Sequence, residues 1–194
     1  MNTKESRDGV PDQVPPRCLK VEDGVPSAQL LDGRAVANYV LDYADNKGRQ
    51  ISNLALQKIL YFCHVWTLIE LNRPLIRQEF EAWEFGPVLQ YVYREFKQAE
   101  DRAIVTRAKR LDPSTGVFVE AECVLPDDIK GLLDRVLELY TQLSASQLVK
   151  LSHVENGPWH SVWNHEGNIN PGMRISNEQI VQFYLNGFTH LGCH

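Results

Sequence analysis

The sequence lacks any long uncharged apolar run. Its most apolar window, residues 54–71, is interrupted by Gln57, Lys58, His64 and Glu70, whereas a membrane-spanning helix needs about 18–20 consecutive apolar residues. The first residues, MNTKESRDGVPDQVPP, hold no apolar segment of the kind that a secretory signal peptide requires. We therefore expect a protein with no membrane partner.

Cysteine is sparse, and its spacing is uninformative. The chain has four cysteines in 194 residues, and no two of them form the CxxC spacing of a zinc or redox site. Thiols in a chain of this length without a secretion signal stay reduced, so we expect a cytoplasmic protein. The cysteines are Cys18, Cys63, Cys123 and Cys193.

The common catalytic and metal-binding motifs are also missing. The sequence has no HExxH, GxSxG, Walker A or GxGxxG pattern. His153, His160 and His165 are not at the i, i+4 spacing that puts two metal ligands on one helical face. Cys63 with a distant His153 satisfies the residue types of a thiol enzyme, but Cys63 falls on an apolar helical face, where cysteine is usually a small core residue. We expect no metal, no cofactor and no enzyme activity.

The sequence has no excess of positive charge. It contains 20 Lys+Arg against 25 Asp+Glu, which gives a net charge of −5, so the electrostatic footprint of a general nucleic-acid-binding protein is absent. Six basic residues nevertheless lie between positions 94 and 110. They have two interpretations: a solvated hairpin edge that charge protects against aggregation, or a contact with phosphate or an acidic partner.

What is present divides the chain near residue 31. Residues 1–31 carry four prolines and no aromatic residue, so they have little to bury, and we expect a disordered or loosely attached tail. It is either an inert leader or a partner-binding segment. Residues 32–194 form the expected domain.

Helical periodicity dominates that domain. Asp32 and Ser52 are N-cap residues for two helices, the second running to about Leu71 and apolar nearly all round, which is typical of a central helix. Ser144 with Gln147, and Ser176 with Gln179, form capping-box patterns. Pro126 precedes another amphipathic helix. Residues 103–111 and 117–124 predict two strands joined by the turn at 112–116.

The resulting fold class is mainly α (α+β), a compact helical bundle of about six to seven helices with one β-hairpin insertion. We expect residues 79–86 to be short and irregular. Gly86-Pro87 is expected to open a helix that runs to about Ala99, because proline is favoured at the first helical position.

The central helix carries two polar residues, Gln57 and Lys58. Burying them unpaired costs about 1–3 kcal/mol each, so they either bond the backbone of the 79–86 segment or reach a partner. Aromatic residues gather near Gly86-Pro87 and again near Pro158. Such residues serve either as core anchors or as interface hot spots.

Several motifs, taken in order, closely resemble the Panacea domain family, which includes SocA-like and GepA-like proteins of mobile elements such as prophages. Residues 52–62 resemble the family opening TNLKLQKLLYF, and the later segments resemble the steps GxPLF, EAWxYGPV, VYxEFK and LTHxxxPW. The corresponding stretches here are SNLALQKILYF (52–62), NRPL (72–75), EAWEFGPV (81–88), YREFK (93–97), and LSH (151–153) followed by PW (158–159). Phe85 stands where the family usually has tyrosine, and the spacing from His153 to Pro158 is slightly longer than usual. The likeness extends over about residues 32–190.

The resemblance implies an antitoxin that neutralises a cognate protein toxin, encoded next to it, by direct binding. It also implies a second role, that of an adaptor which delivers the toxin to a bacterial protease complex. Two more hypotheses come from the residues themselves: a thiol enzyme that uses Cys63 and His153, and a DNA-binding repressor that uses the 94–110 cluster. Gly86, Pro87 and Pro158 are expected to be structural, and the candidate partner-binding residues are Gln57, Lys58, Tyr61, Trp83, Tyr93, His153 and Trp159.

Overall fold

A computed structural model of the chain describes residues 30–164 and 171–189. The expected tail therefore lies almost wholly outside the described residues, as do Cys18, His165 and Cys193. Helix α1 (Gly33–Asn46) begins at Asp32, whose side chain accepts a hydrogen bond from the backbone N–H of Arg34. Helix α2 (Asn53–Leu71) begins at Ser52 and ends at Asn72, which adopts a left-handed φ of 49°.

Helix α2 is the centre of the molecule. Its residues are buried on every side, and the helices described below surround it. This helix is long and apolar enough to cross a membrane, but 72% of its apolar window is buried inside the protein. That burial is typical of the core helix of a folded domain, in agreement with the interrupted apolar run in the sequence.

A small antiparallel sheet lies where the sequence suggested irregular chain. Strands β1 (Phe80–Trp83) and β2 (Gly86–Val88) form a hairpin, with Trp83 opposite Gly86 and Ala82 opposite Pro87. The predicted helix start at Gly86-Pro87 is wrong, because Gly86 has a φ of +98° that closes the hairpin turn. Helix α3 begins only at Gln90 and ends at Glu95, and a single 3₁₀ turn follows at Lys97–Ala99.

The predicted second hairpin is confirmed, with shorter strands. Strands β3 (Lys109–Leu111) and β4 (Phe118–Glu120) pair with Leu111 opposite Phe118. Between them, Asp112 accepts hydrogen bonds from the backbone N–H and the hydroxyl of Ser114, which fixes the turn.

The remaining helices complete the bundle. Helix α4 (Asp127–Tyr140) follows Pro126, and α5 (Ala145–Ser152) has the predicted capping box. Helix α6 (Pro158–Trp163) precedes a 3₁₀ turn at Pro171–Met173 and a two-residue strand, β5 (Arg174–Ile175), which pairs with β1 to give the order β2-β1-β5. Helix α7 (Asn177–Thr189) ends the described chain. Its predicted capping box is also present, since Ser176 and Gln179 bond each other's backbone N–H. The mainly α fold class with β insertions is confirmed.

Candidate partner-binding site

Polar residues on one side of α2 hold the chain that leaves the β1–β2 hairpin. The Lys58 Nζ donates to the carbonyl of Pro87 at 2.8 Å, and the Gln57 Oε1 accepts from the backbone N–H of Leu89 at 3.0 Å. The Gln57 amide in turn donates to the Asn53 side chain at 3.1 Å. Gln57 and Lys58 are both fully buried, so these polar atoms bond neighbouring chain rather than face solvent.

The amine of Lys58 is buried. Burial lowers the pKa of Lys58 to about 7, because a low-dielectric interior disfavours the charged ammonium. The amine is therefore partly neutral near neutral pH, and a neutral amine is still able to donate to the Pro87 carbonyl.

Gly86 fits closely against this buried amine. A Cβ at position 86 would lie 2.7 Å from the Ser152 Oγ and 3.0 Å from both Cε and Nζ of Lys58. Its φ of +98° is also rarely accessible to residues with a side chain. Gly86 thus lets the tip of the β1–β2 hairpin approach α2 and the end of α5.

A stack of rings lies next to the hairpin. The His153 and Trp159 rings are nearly parallel with centroids 3.6 Å apart, and the Trp163 ring stacks on Trp159 with centroids 5.8 Å apart. The Trp159 indole N–H donates to the carbonyl of Trp83 at 2.8 Å, which joins α6 to β1. Pro158 begins α6 at its first position and so places Trp159 for both contacts.

His153 is held in an environment that favours its neutral form. Burial lowers its pKa, the charge of Lys58 lowers it further, and the backbone of Phe85 opposes both effects. Its Nε2 is buried and has no hydrogen-bond partner among the described residues. The arrangement suits a ring that stacks rather than one that shuttles protons.

Further aromatic side chains follow toward the hairpin tip, and the surface that these rings form is exposed at its two ends and buried at Trp159. Trp83 and Tyr93 meet edge to face with centroids 5.2 Å apart, and Phe85 at the tip is 57% exposed. Trp163 is 38% exposed at the other end. We call this surface the aromatic platform; it comprises Trp83, Phe85, Tyr93, His153, Trp159 and Trp163.

The structure therefore divides the seven sequence-derived candidates into three groups. Trp83, Tyr93, His153 and Trp159 share the platform, while Gln57 and Lys58 lie beneath it. Tyr61 is elsewhere: its ring packs against Phe80 at 5.3 Å, and burial raises the pKa of its hydroxyl. Phe85 and Trp163 were not among the candidates, because side-chain exposure at a turn and at a short helix end has no local sequence signal.

Cys63 and His64 are committed to the core. Cys63 is fully buried, and burial raises the pKa of its thiol, which disfavours the reactive thiolate. The His64 Nδ1 accepts from the backbone N–H of Ile76 at 3.2 Å, and its Nε2 lies 2.8 Å from the Asn177 Oδ1. Among the described residues, no group of three or more His, Cys, Asp or Glu side chains could hold a metal ion. The thiol-enzyme hypothesis therefore has no accessible nucleophile at Cys63.

Comparison with known proteins gives a consistent result. A family model described as Antitoxin SocA-like, Panacea domain, matches residues 56–160. Antitoxin SocA of Caulobacter vibrioides (strain NA1000 / CB15N) is 43% identical over 153 residues, which cover 78% of this chain and 81% of that protein. No solved structure matches the chain. The matched segment begins inside α2 and ends inside α6, so it contains every platform residue except Trp163.

Proposed function

The chain belongs to the SocA-like Panacea family of antitoxins, and from that premise we propose that it neutralises a cognate protein toxin by binding it directly. The observation that carries the proposal is the aromatic platform, whose two ends, Phe85 and Trp163, are exposed although the rest of the site is well packed. Aromatic side chains of this kind are enriched among the residues that dominate binding energy at protein interfaces.

The platform has the rigidity that a recognition surface needs. Its central member, Trp159, is fixed by a hydrogen bond to Trp83 and by stacking on His153. Rings that are ordered before binding lose little conformational entropy when a partner covers them. We assign Trp83, Tyr93 and His153, which are partly exposed, to toxin contact on this basis. Trp159 is buried and contributes to toxin binding by holding these rings in place.

The buried candidates support the platform from below. Lys58 bonds Pro87 within the second strand of the hairpin, to which Gly86 also belongs, and Gln57 bonds Leu89 directly after that strand. Tyr61 packs beneath β1 and contributes through the core. In this proposal the protein acts in the cytoplasm without a cofactor and without catalysis, and its activity is stoichiometric.

The direct test uses the product of the neighbouring reading frame as the toxin. Growth is measured when that product is expressed alone and together with this protein, and the purified pair is titrated. We expect Phe85→Ala to weaken binding about tenfold or more, as truncation of a hot-spot residue does. Leu139→Ala is the matched control, because Leu139 is a 66% exposed apolar residue on α4. Full rescue and unchanged affinity for both variants would contradict the proposed site.

The same strains distinguish sequestration from delivery to a protease. If the protein only sequesters the toxin, the half-life of the toxin is the same or longer when the two are co-expressed. If the protein is an adaptor, the half-life shortens, and deleting residues 1–31 then shows whether the tail contributes. A neighbouring product that does not impair growth would remove the basis of the proposal.

A further inference from the structure

The β3–β4 hairpin stands away from the core, and its apolar side chains are open to solvent. All six residues of the two strands are exposed. Leu111, Val117 and Phe118 have exposed fractions of 52%, 58% and 66%. A short hairpin is marginally stable alone in water. A hairpin with exposed apolar side chains therefore requires contacts that anchor it to the rest of the protein, and its exposure requires a functional explanation.

The anchor is at the base of the hairpin. The Asn38 side chain, on α1, donates to the carbonyls of Ala108 and Ala121 and accepts from the backbone N–H of Ala108, with distances of 2.8–2.9 Å. Arg107, just before β3, pairs with Asp42 and Asp45 of α1. The hairpin is therefore a fixed projection from α1.

One edge of this hairpin is open. Backbone hydrogen bonds from Ala121 to Ala108 and from Asp112 to Val117 mark the closely paired positions of the ladder. Pairing alternates along an antiparallel ladder, so the N–H and C=O groups of Phe118 and Glu120 point outward from β4. Among the described residues these groups have no hydrogen-bond partner. Such a row is the template onto which another extended chain adds.

Glutamate side chains lie along β4, and the one basic residue in register with them, Lys109 opposite Glu120, forms no ion pair with Glu120 among the described residues. A groove of about 230 Å³ runs between α1 and residues 120–123, and Asp42, Glu120 and Glu122 line it. Asp42 already pairs with Arg107, whereas Glu120 and Glu122 have no ion pair within the described part of the chain. An occupant that carries Lys or Arg would complement these carboxylates.

We infer that the outer edge of β4 is a second docking site, which receives an extended basic segment of the toxin as an added strand. The inference rests on the proposed function and specifies how part of the toxin is held. The main chain of the added strand pairs with Phe118 and Glu120. Its basic side chains lie on the face that Phe118, Glu120 and Glu122 share, so their charged ends meet the two glutamates while their aliphatic stems cover Phe118.

The test uses defined peptides and the full chain. An eight-residue peptide that alternates Lys and Val is titrated while the backbone amides are followed by NMR. The comparison peptides alternate Glu with Val, which reverses the charge, and Lys with Pro, which keeps the charge but cannot pair as a strand. We expect only the Lys-Val peptide to shift the Phe118 and Glu120 amides and to slow their hydrogen exchange.

Reversing the charge of single glutamates in the groove tests whether the groove binds the basic peptide. Glu120→Lys and Glu122→Lys should each weaken Lys-Val binding at least threefold, whereas Asp101→Lys, an equal charge change at an exposed loop position, should leave it unchanged. Circular dichroism confirms that each variant is folded. Equal binding of the acidic and basic peptides, or no shift at β4, would overturn the inference. Concentration-dependent protection of β4 without peptide would also overturn it, in favour of pairing with a second copy of the chain.

The two proposals fail separately. A protein that neutralises the neighbouring toxin but shows no edge binding retains the proposed function and loses this inference. A protein that binds the Lys-Val peptide at β4 but does not protect cells from the toxin loses the proposed function, and with it the toxin as the occupant of this edge, although the edge itself still binds a basic strand.

Discussion

Replacing Lys58 by methionine should change how the stability of the protein depends on pH. Lys58 is fully buried and its pKa is lowered to about 7 by burial, against about 10.4 for a lysine in an unfolded chain. Between these two values the unfolded chain binds more protons than the folded one, so the free energy of unfolding rises with pH. Below about pH 7 and above about pH 10.4 this residue contributes no pH dependence.

The magnitude follows from the size of the shift. Each pKa unit corresponds to about 1.36 kcal/mol. The loss of the Lys58 proton on folding therefore lowers the free energy of unfolding by about 4 kcal/mol at pH 7 and by about 2 kcal/mol at pH 9. Methionine lacks this ionisation but leaves the Pro87 carbonyl unpaired, which costs about 1–3 kcal/mol at either pH. The stability of the wild type relative to Lys58→Met should therefore increase by about 2 kcal/mol between pH 7 and pH 9.

Urea unfolding at pH 7, 8 and 9, followed by tryptophan fluorescence and far-ultraviolet circular dichroism, measures this difference. Other titrating groups are common to both proteins and cancel, apart from His153, whose pKa the charge of Lys58 helps to lower. Lys150→Met, at an exposed position on α5, is the control and should follow the wild-type curve. Parallel pH curves for the wild type and Lys58→Met would refute the reasoning, because they would mean that Lys58 keeps its proton inside the fold or is not buried.

Two further predictions concern the hairpin tip and an ion-pair cluster. Gly86→Ala should destabilise the protein by about 2–4 kcal/mol. The added Cβ would lie 2.7 Å from the Ser152 Oγ, and the backbone conformation at this position costs about 1–3 kcal/mol for residues other than glycine. An unchanged urea midpoint would contradict this prediction. Glu138, whose pKa is lowered to about 2 chiefly by its hydrogen bond with Arg49, should stabilise the protein above about pH 4.5 and lose that effect as the pH falls toward 2. Glu138→Gln should flatten acid unfolding over this range, and an unaltered acid midpoint would exclude the role.

Elements with complete local signals were predictable from the sequence. Helix α2 combines a Ser52 cap, a predominantly apolar sequence and the stop at Asn72, all encoded within residues 52–72. The capping box of α5 is equally local. The β1–β2 hairpin was not predictable in this way. Proline after glycine is also a good helix start, and only the positive φ of Gly86 and the contacts with α2 select a strand instead.

The other features that the sequence did not predict depend on contacts between residues that are far apart in the chain. Strand β5 has two residues, and its register is fixed by Phe80 opposite Ile175, which lie far apart in the chain. For the candidate site, the sequence indicated aromatic residues near the two prolines and two polar residues on the central helix. It could not separate Lys58, which bonds backbone, from Phe85, which is exposed, because burial depends on which elements pack together.

The burial of Lys58 connects the interior with the surface. A methionine of similar length would fill the same space without the cost of neutralising an amine, so Lys58 is a poor choice if stability is the only requirement. Unlike methionine, Lys58 donates a hydrogen bond to the carbonyl of Pro87, and Gln57 accepts one from the N–H of Leu89. Those bonds set the position of β2 and therefore of the turn that displays Phe85. The lost stability is what the proposed toxin-binding role requires, since in that proposal the placement of this turn matters more than the most stable core.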